Sequence, residues 1–411
     1  MPRALFILFL SISLPCLSQI QVLTSNVKTN ALVYSSTTDR IYATVPSSNG
    51  ISGNSIGTIN PYTSTLQQTV PIGTDPTVLA ISDDEQYLYN GFAASPVVRR
   101  YIIGSSMAGL QIQLGNDATN GDYIANDIEV LPGQNNSVVV SRKFLSASPS
   151  FAGLAVFDDN TQRTTTSSNS NIANVIEFTN TNSVLGFNNE TSEYGLRDFT
   201  IDANGISQVA LYPDVLSGDG LDFIINGDFL YASDGTIVDV SSTPSVLGQF
   251  ADANGPAAYD ANFNLVVYAS NDGSGNLTLK RYDADTYDFV DDIDITQASG
   301  DVKTITVCGE GCYSFNTTDK VVIVRNLLLG VTEFYDDSMI GIFPNPSKDY
   351  IAIKTEMDIV ALDIYNMGGK LVKSSQNVNQ RLNIQDLSEG LYVVVLKDSR
   401  NNSFAEKLIK N

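Results

Sequence analysis

Apolar and polar positions recur along this chain as one unit: a short apolar run, a polar turn, and a second apolar run that pairs back on the first. Residues 76 to 92, PTVLAISDDEQYLYNGF, are one copy. Apolar runs broken by turn residues at this spacing predict a β-hairpin. Six further copies align at the turn: ALVYSSTTDRIYATV from Ala31, NDIEVLPGQNNSVVVSR from Asn126, NVIEFTNTNSVLGFN from Asn174, LDFIINGDFLYAS from Leu221, AAYDANFNLVVYAS from Ala257 and KTITVCGEGCYSFN from Lys303. The turns begin at Ser35, Ser82, Pro132, Thr179, Asn226, Asp260 and Gly309, so the steps are 47, 50, 47, 47, 34 and 49 residues. A period of this length built from strands alone predicts propeller blades.

Each hairpin is followed by a third strand and usually a fourth. In the first copy these are SIGTI from Ser55 and TLQQTVPI from Thr65, joined at Asn60-Pro61, and later third strands read RRYII (Arg99), LAVFD (Leu154), RDFTID (Arg197), TIVDV (Thr236), LKRYD (Leu279) and VVIVR (Val321). A four-stranded meander of this kind buries its two faces only against neighbouring blades. Gln19 to Thr24, QIQVLT, is placed to supply the outer strand of the last blade and close the ring. The expected fold is all-β: a seven-bladed β-propeller over 19–326, a linker over 327–339, and a small Ig-like β-sandwich over 340–411. The tail carries seven strand candidates, at 340–343, 350–355, 359–366, 370–374, 381–384, 391–397 and 403–409.

Composition and charge then narrow the function. The first 18 residues, MPRALFILFLSISLPCLS, have a basic start, an apolar stretch and small residues before Gln19, which predicts an export signal. Ser13-Leu14-Pro15 before Cys16 does not fit a lipidation motif. Of the net charge of −22, residues 19 to 339 carry −24 (13 Lys and Arg against 37 Asp and Glu) and residues 340 to 411 carry +1 (9 against 8). Such an acidic body repels polyphosphate, so nucleic acid is not an expected partner. The chain has no His, which removes Ser-His and Cys-His nucleophile systems and the commonest metal ligand. Cys308 and Cys312 flank a tight turn, and in an exported protein they are expected to form a disulfide. With no histidine to complete the coordination, zinc does not fit them.

Two resemblances sharpen this picture. Residues 72 to 92, beginning IGTDPTVLAISDDEQYLY, resemble the YVTN family of seven-bladed propellers in the sequence of outer strand, Gly, Pro, inner strand, Ser-Asp turn and Leu-Tyr. That likeness covers about residues 30 to 105 well and implies a fold and a surface location, but no catalytic residue. The last 70 or so residues resemble the C-terminal sorting domain of type IX secretion, in FPNPS (343–347), DIYNMGGKLV (363–372), LSEGLYVVVL (387–396) and the final KLIKN. On this resemblance Pro344, Asn345, Pro346, Gly369, Gly390, Lys407 and Lys410 form the sorting signal. The family implies recognition by the outer-membrane translocon, after which the passenger is attached to the surface or released.

The segments leading into the inner strands carry Asn30, Asp75, Asn126, Asp127, Asn174, Asp219, Asn254 and Asp301. In a propeller these segments converge on one mouth of the channel, where a ring of oxygens suits Ca²⁺ or the hydroxyls of a glycan. The same residues are also turn formers, so the ring and plain turn chemistry both stand. A second acidic run, RYDADTYDFVDDIDIT from Arg281, reads as a solvated strand face rather than an EF-hand loop. No cofactor is called for beyond Ca²⁺ at the ring. The function expected is an exported, non-catalytic binding or adhesion module with a glycan or protein ligand at the mouth. The alternatives are a lactonase- or polysaccharide-lyase-like enzyme using carboxylates there, and a structural spacer of the surface layer.

Overall fold

The structure, a computed structural model, describes residues 19–327, 340–355, 359–366, 370–376, 381–398 and 403–411. The export-signal segment 1–18, nearly all of the linker and Gly369 lie outside them. The chain divides into two compact units, one over Ile20–Asn326 and one built on Leu327–Asn411.

The larger unit is a ring of seven four-stranded antiparallel sheets, counted among the described residues. Blade one runs through Leu32–Ser35, Arg40–Val45, Ser55–Ile59 and Leu66–Pro71 in sequence order from channel to rim. The inner strands of blades two to seven are Pro76–Ile81, Ile124–Val130, Val175–Asn180, Phe223–Asn226, Ala257–Asp260 and Thr304–Val307. Each inner strand touches the next, and the last touches the first, so the ring closes. Blade seven takes its outer strand from the other end of the chain: Gln19–Ser25 pairs beside Val321–Leu327. This joins the two ends of the propeller by backbone hydrogen bonds and leaves blade seven with four strands like the rest.

The core lies between blades, not within them. Tyr89, Val98 and Ile112 of blade two pack on Ile128, Val138, Val140 and Phe157 of blade three, all buried. Equivalent clusters lie between every consecutive pair, including Val321 and Ile323 of blade seven against Ile41, Ala43 and Ile59 of blade one. Cys308 and Cys312 belong to that last cluster and are disulfide-bonded, with their Cα atoms 4.9 Å apart. Blade five explains the short 34-residue step: its strands are only four or five residues long.

Because alternate strands of a meander run in opposite directions, the connections fall on two different faces. The first-to-second strand turns are tight, as at 36–39, 227–228 and 308–311. The opposite face receives the second-to-third connections and the segments between blades. It carries a 3₁₀ turn at Ser47–Ser52, a short hairpin pairing Asn116–Asp117 with Gly121–Asp122, and longer loops at 144–150, 163–174 and 188–195. This loop-rich face is the mouth at which the inner strands begin. Gly73, ahead of blade two, has φ +147°, and a Cβ there would sit 2.4 Å from the Phe92 ring. Only glycine allows the chain to cross so close to that core side chain.

The smaller unit has two sheets. One pairs Ile340–Phe343, Tyr350–Thr355 and Leu382–Asn383, and the other orders Leu371–Ser375, Ile359–Asn366, Gly390–Asp398 and Ser403–Lys410. Ile342 and Ile351 from the first sheet meet Leu362, Ile364, Val394, Leu396 and Leu408 from the second in one buried core. These seven strands fall where the turn-delimited apolar runs place them.

Candidate channel and sorting sites

The Asn and Asp residues ahead of the inner strands mostly fasten one segment to another. Asn30 donates from Nδ2 to the carbonyl of Pro76 (2.8 Å), and its Oδ1 accepts from Lys303 Nζ (3.0 Å). Asn126 donates to the carbonyl of Asn174 (2.8 Å), the same latch one blade pair further on. Asn174, itself buried, donates to Glu190 Oε2 (3.0 Å). Asp75 accepts from the Ser47 amide (2.8 Å), Asp219 from the Tyr194 hydroxyl (2.9 Å) and Asp301 from Asn271 Nδ2 (3.1 Å). Asn254 is exposed, and its backbone carbonyl accepts from Ser270 Oγ. Among the described residues, no group of three or more Cys, Asp or Glu is placed to hold a metal ion.

Asp127 differs from the other seven. Its Oδ2 accepts from the Ile176 amide of the next blade (2.9 Å) and its Oδ1 from the Ile128 amide (2.9 Å). It also faces Asp222, and with Glu129 and Glu177 the two make a mutually interacting acidic set. Blades three, four and five supply these groups, and blades three and five are not neighbours, so their charges meet across the channel. Water reaches all four: Asp127, Glu129 and Glu177 are half-buried and Asp222 is exposed, although inner strands wall them in. Burial pushes the carboxyl of Asp127 up to about 7, and Asp222 adds to the rise. Burial likewise pushes Glu129 and Glu177 well above the ordinary glutamate value, with the neighbouring carboxylates reinforcing it. The protein walls enclosing the channel raise Asp222 as well. Among the described residues no Lys or Arg offsets these charges.

Glu129 and Glu177 lie inside their inner strands, as Asn126 and Asp127 also do, and Asp222 stands directly before the inner strand of blade five; none of Glu129, Glu177 and Asp222 is among the recurring residues singled out in the sequence. The signal was present in the aligned repeats, where NDIEV and NVIEF each put a carboxylate inside an otherwise apolar inner strand. A charged residue at that position faces a channel rather than a neighbouring blade. The acidic run after Arg281 is a different matter. Arg281 holds Asp291 through two bonds (2.7 and 2.5 Å), and Asp283 accepts the amides of Asp285 and Thr286 in a turn, so that strand face is paired and solvated.

In the smaller unit two distant motifs are stitched together. Asn345 donates from Nδ2 to the carbonyl of Lys407 and accepts from the Ile409 amide (2.9 Å). Ser347 donates from its amide to Ile409 (2.8 Å), and its carbonyl accepts from the Asn411 amide (2.9 Å). The Pro344-Asn345-Pro346 segment therefore runs along the outer side of the final strand. Lys407 is exposed, whereas Lys410 is buried along its stem and turns its Nζ to the carbonyl of Asn411 (2.7 Å). Gly390 starts the neighbouring strand opposite Lys410.

Residues 341–411 match the family described as "Secretion system C-terminal sorting domain". The tail is a sorting domain. It marks the chain for export through the type IX system to the cell surface or the medium. The larger unit is similar in fold to Kuenenia stuttgartiensis hydrazine synthase, with TM-score 0.57 and 12% identity over 74% of this chain and 97% of that one. It is equally similar to the Myceliophteria thermophila Cps50 (Swd1) β-propeller domain, with TM-score 0.57 and 10% identity over 75% of this chain and 99% of that one. At such identities the likeness concerns the propeller fold alone. The search of curated proteins gives no match. Among the described residues no helix is long and apolar enough to cross a membrane.

Proposed function

We propose that the protein is a non-catalytic binding or adhesion module. The sorting domain delivers it to the outer surface of the cell, and its ligand contacts lie at the loop-rich mouth and the acidic channel beneath. The observation that carries this reading is the convergence of Asp127, Glu129, Glu177 and Asp222 on the channel with no Lys or Arg among the described residues to offset them. Uncompensated carboxylates cost folding energy, and a protein or peptide ligand that brings positive charge relieves that cost on binding. The long loops on the same face supply an adaptable rim around it.

The test is binding of Lys- and Arg-rich peptides to the purified protein by calorimetry, with Glu129→Gln/Glu177→Gln as the control variant. Salt-sensitive binding that weakens at least tenfold in the variant supports the reading. Equal binding by both proteins, or none, overturns it.

A second reading rests on the same groups. A carboxyl titrating near neutrality, as at Asp127, suits general acid-base work, so a lactonase- or lyase-like activity at the channel remains the competitor. It requires turnover of a lactone or uronic acid substrate that Asp127→Asn abolishes.

A further inference from the structure

On the tight-turn face, opposite the mouth, the cleft between blades two and three opens into a cavity of about 450 Å³. The turn of blade three, with Pro132 to Asn136 between its first two strands, is longer than the Gly227-Asp228 turn of blade five, and it forms one wall. The Asp83 carboxylate of blade two holds that turn by accepting from the Gly133 amide (2.7 Å). A volume of this size lies within the range of about 300–1,000 Å³ occupied by small-ligand sites.

The lining is polar, and part of it is held in place. Asp84, Gln86 and Tyr87 come from blade two, and Gln134, Asn135 and Asn136 from blade three. Asp84 accepts from Ser82 Oγ (2.7 Å) and from the Gln86 amide (3.1 Å). Arg100 donates to Asn136 Oδ1 (2.9 Å) and Asp159 Oδ1 (2.8 Å) and lies 4.6 Å over the Tyr87 ring. That arrangement consumes its charge and leaves the Asn136 amide group as a donor. Asn135 is held from its carbonyl by the Tyr89 hydroxyl (2.8 Å), yet its side-chain Oδ1, shielded from solvent, has no hydrogen-bond partner.

We infer that this cleft is a second binding site, for a neutral saccharide unit. Side-chain amides pair with hydroxyl groups, which both donate and accept, and Gln86, Gln134, Asn135 and Asn136 present four of them around one space. An anionic ligand would meet Asp84 with Arg100 already engaged, and a metal ion would find a single carboxylate. A lipid would lack apolar wall beyond the Tyr87 ring.

The test applies an array of neutral and acidic oligosaccharides to the full-length secreted protein, followed by calorimetry on any hit. Binding of a neutral oligosaccharide that Asn135→Ala weakens at least tenfold, with the melting temperature unchanged, supports the site. If Asn135→Ala does not fold, Gln86→Ala is read in its place, with the same tenfold loss expected. Glu129→Gln/Glu177→Gln, altered in the channel, should bind the sugar like the wild type, which separates this site from the proposed mouth. No neutral hit, or a hit indifferent to both cleft variants, overturns the inference.

Discussion

Replacing Glu85 by Gln tests how the ring is fastened on its tight-turn face. Glu85 belongs to the first turn of blade two, but its carboxylate bonds to the turn of blade one. It accepts from Ser35 Oγ (2.8 Å), Ser36 Oγ (2.7 Å), the Thr37 amide (2.7 Å) and the Ser36 amide (3.2 Å). Burial pulls its carboxyl upward, but the bonds from Thr37, Ser36 and Ser35 outweigh that and hold it at about 2, against an ordinary 4.5. At about 1.4 kcal/mol per pH unit, this drop sets a ceiling of about 3–4 kcal/mol. Glu85 is only half-buried, so solvent screening reduces the contribution to about 1–2 kcal/mol. A carboxyl depressed in the folded state contributes its full stability above pH 4.5 and loses it as the pH falls through 2. Thermal melts of wild type and Glu85→Gln should therefore differ by about 3 °C at pH 7 and converge toward pH 2. Equal melting temperatures at pH 7, or a gap that persists at pH 2, would refute the carboxylate clasp.

The channel carboxyls carry the opposite sign. Their folded values are raised, so they oppose folding as the pH rises above the ordinary glutamate value, and Glu129→Gln/Glu177→Gln should melt higher than wild type at pH 8 but alike at pH 4. A variant no more stable at pH 8 would mean that channel water screens the charges. For the seventh hairpin, mass spectrometry without reductant should find the Cys308–Cys312 peptide two hydrogens lighter than its dithiol form. Opening this short loop with reductant should cost about 2 kcal/mol on the chain-entropy account, and unchanged stability would count against that mechanism.

Much of the fold could be read from the chain because local patterns dictate it. The seven turns fix the hairpins, Gln19 to Thr24 lies where a ring needs its closing strand, and the tail strands sit between clear breakers. The channel was harder to read, since Asp127, Glu129, Glu177 and Asp222 meet only after three blades are arranged around an axis. The Asn and Asp residues at the mouth stood out for their recurrence. Asn30 and Asn126 recur as inter-blade latches, a long-range role that no single repeat shows. Lys410 is named by the sorting motif, but that its stem is buried follows only from its place opposite Gly390, beside the Asn345–Ser347 segment.

The tail is an address separate from the propeller it delivers. The backbone bonds of the described propeller strands are made among residues 19 to 327, so removing 336–411 leaves every blade its four strands. The direct measurement is the location of the truncated chain in a host with type IX secretion, by surface protease accessibility and fractionation beside the full-length protein. The truncated protein should be folded and confined to the periplasm, while residues 336–411 fused to an unrelated periplasmic protein should carry it to the surface. Normal surface display of the truncated chain would contradict the account.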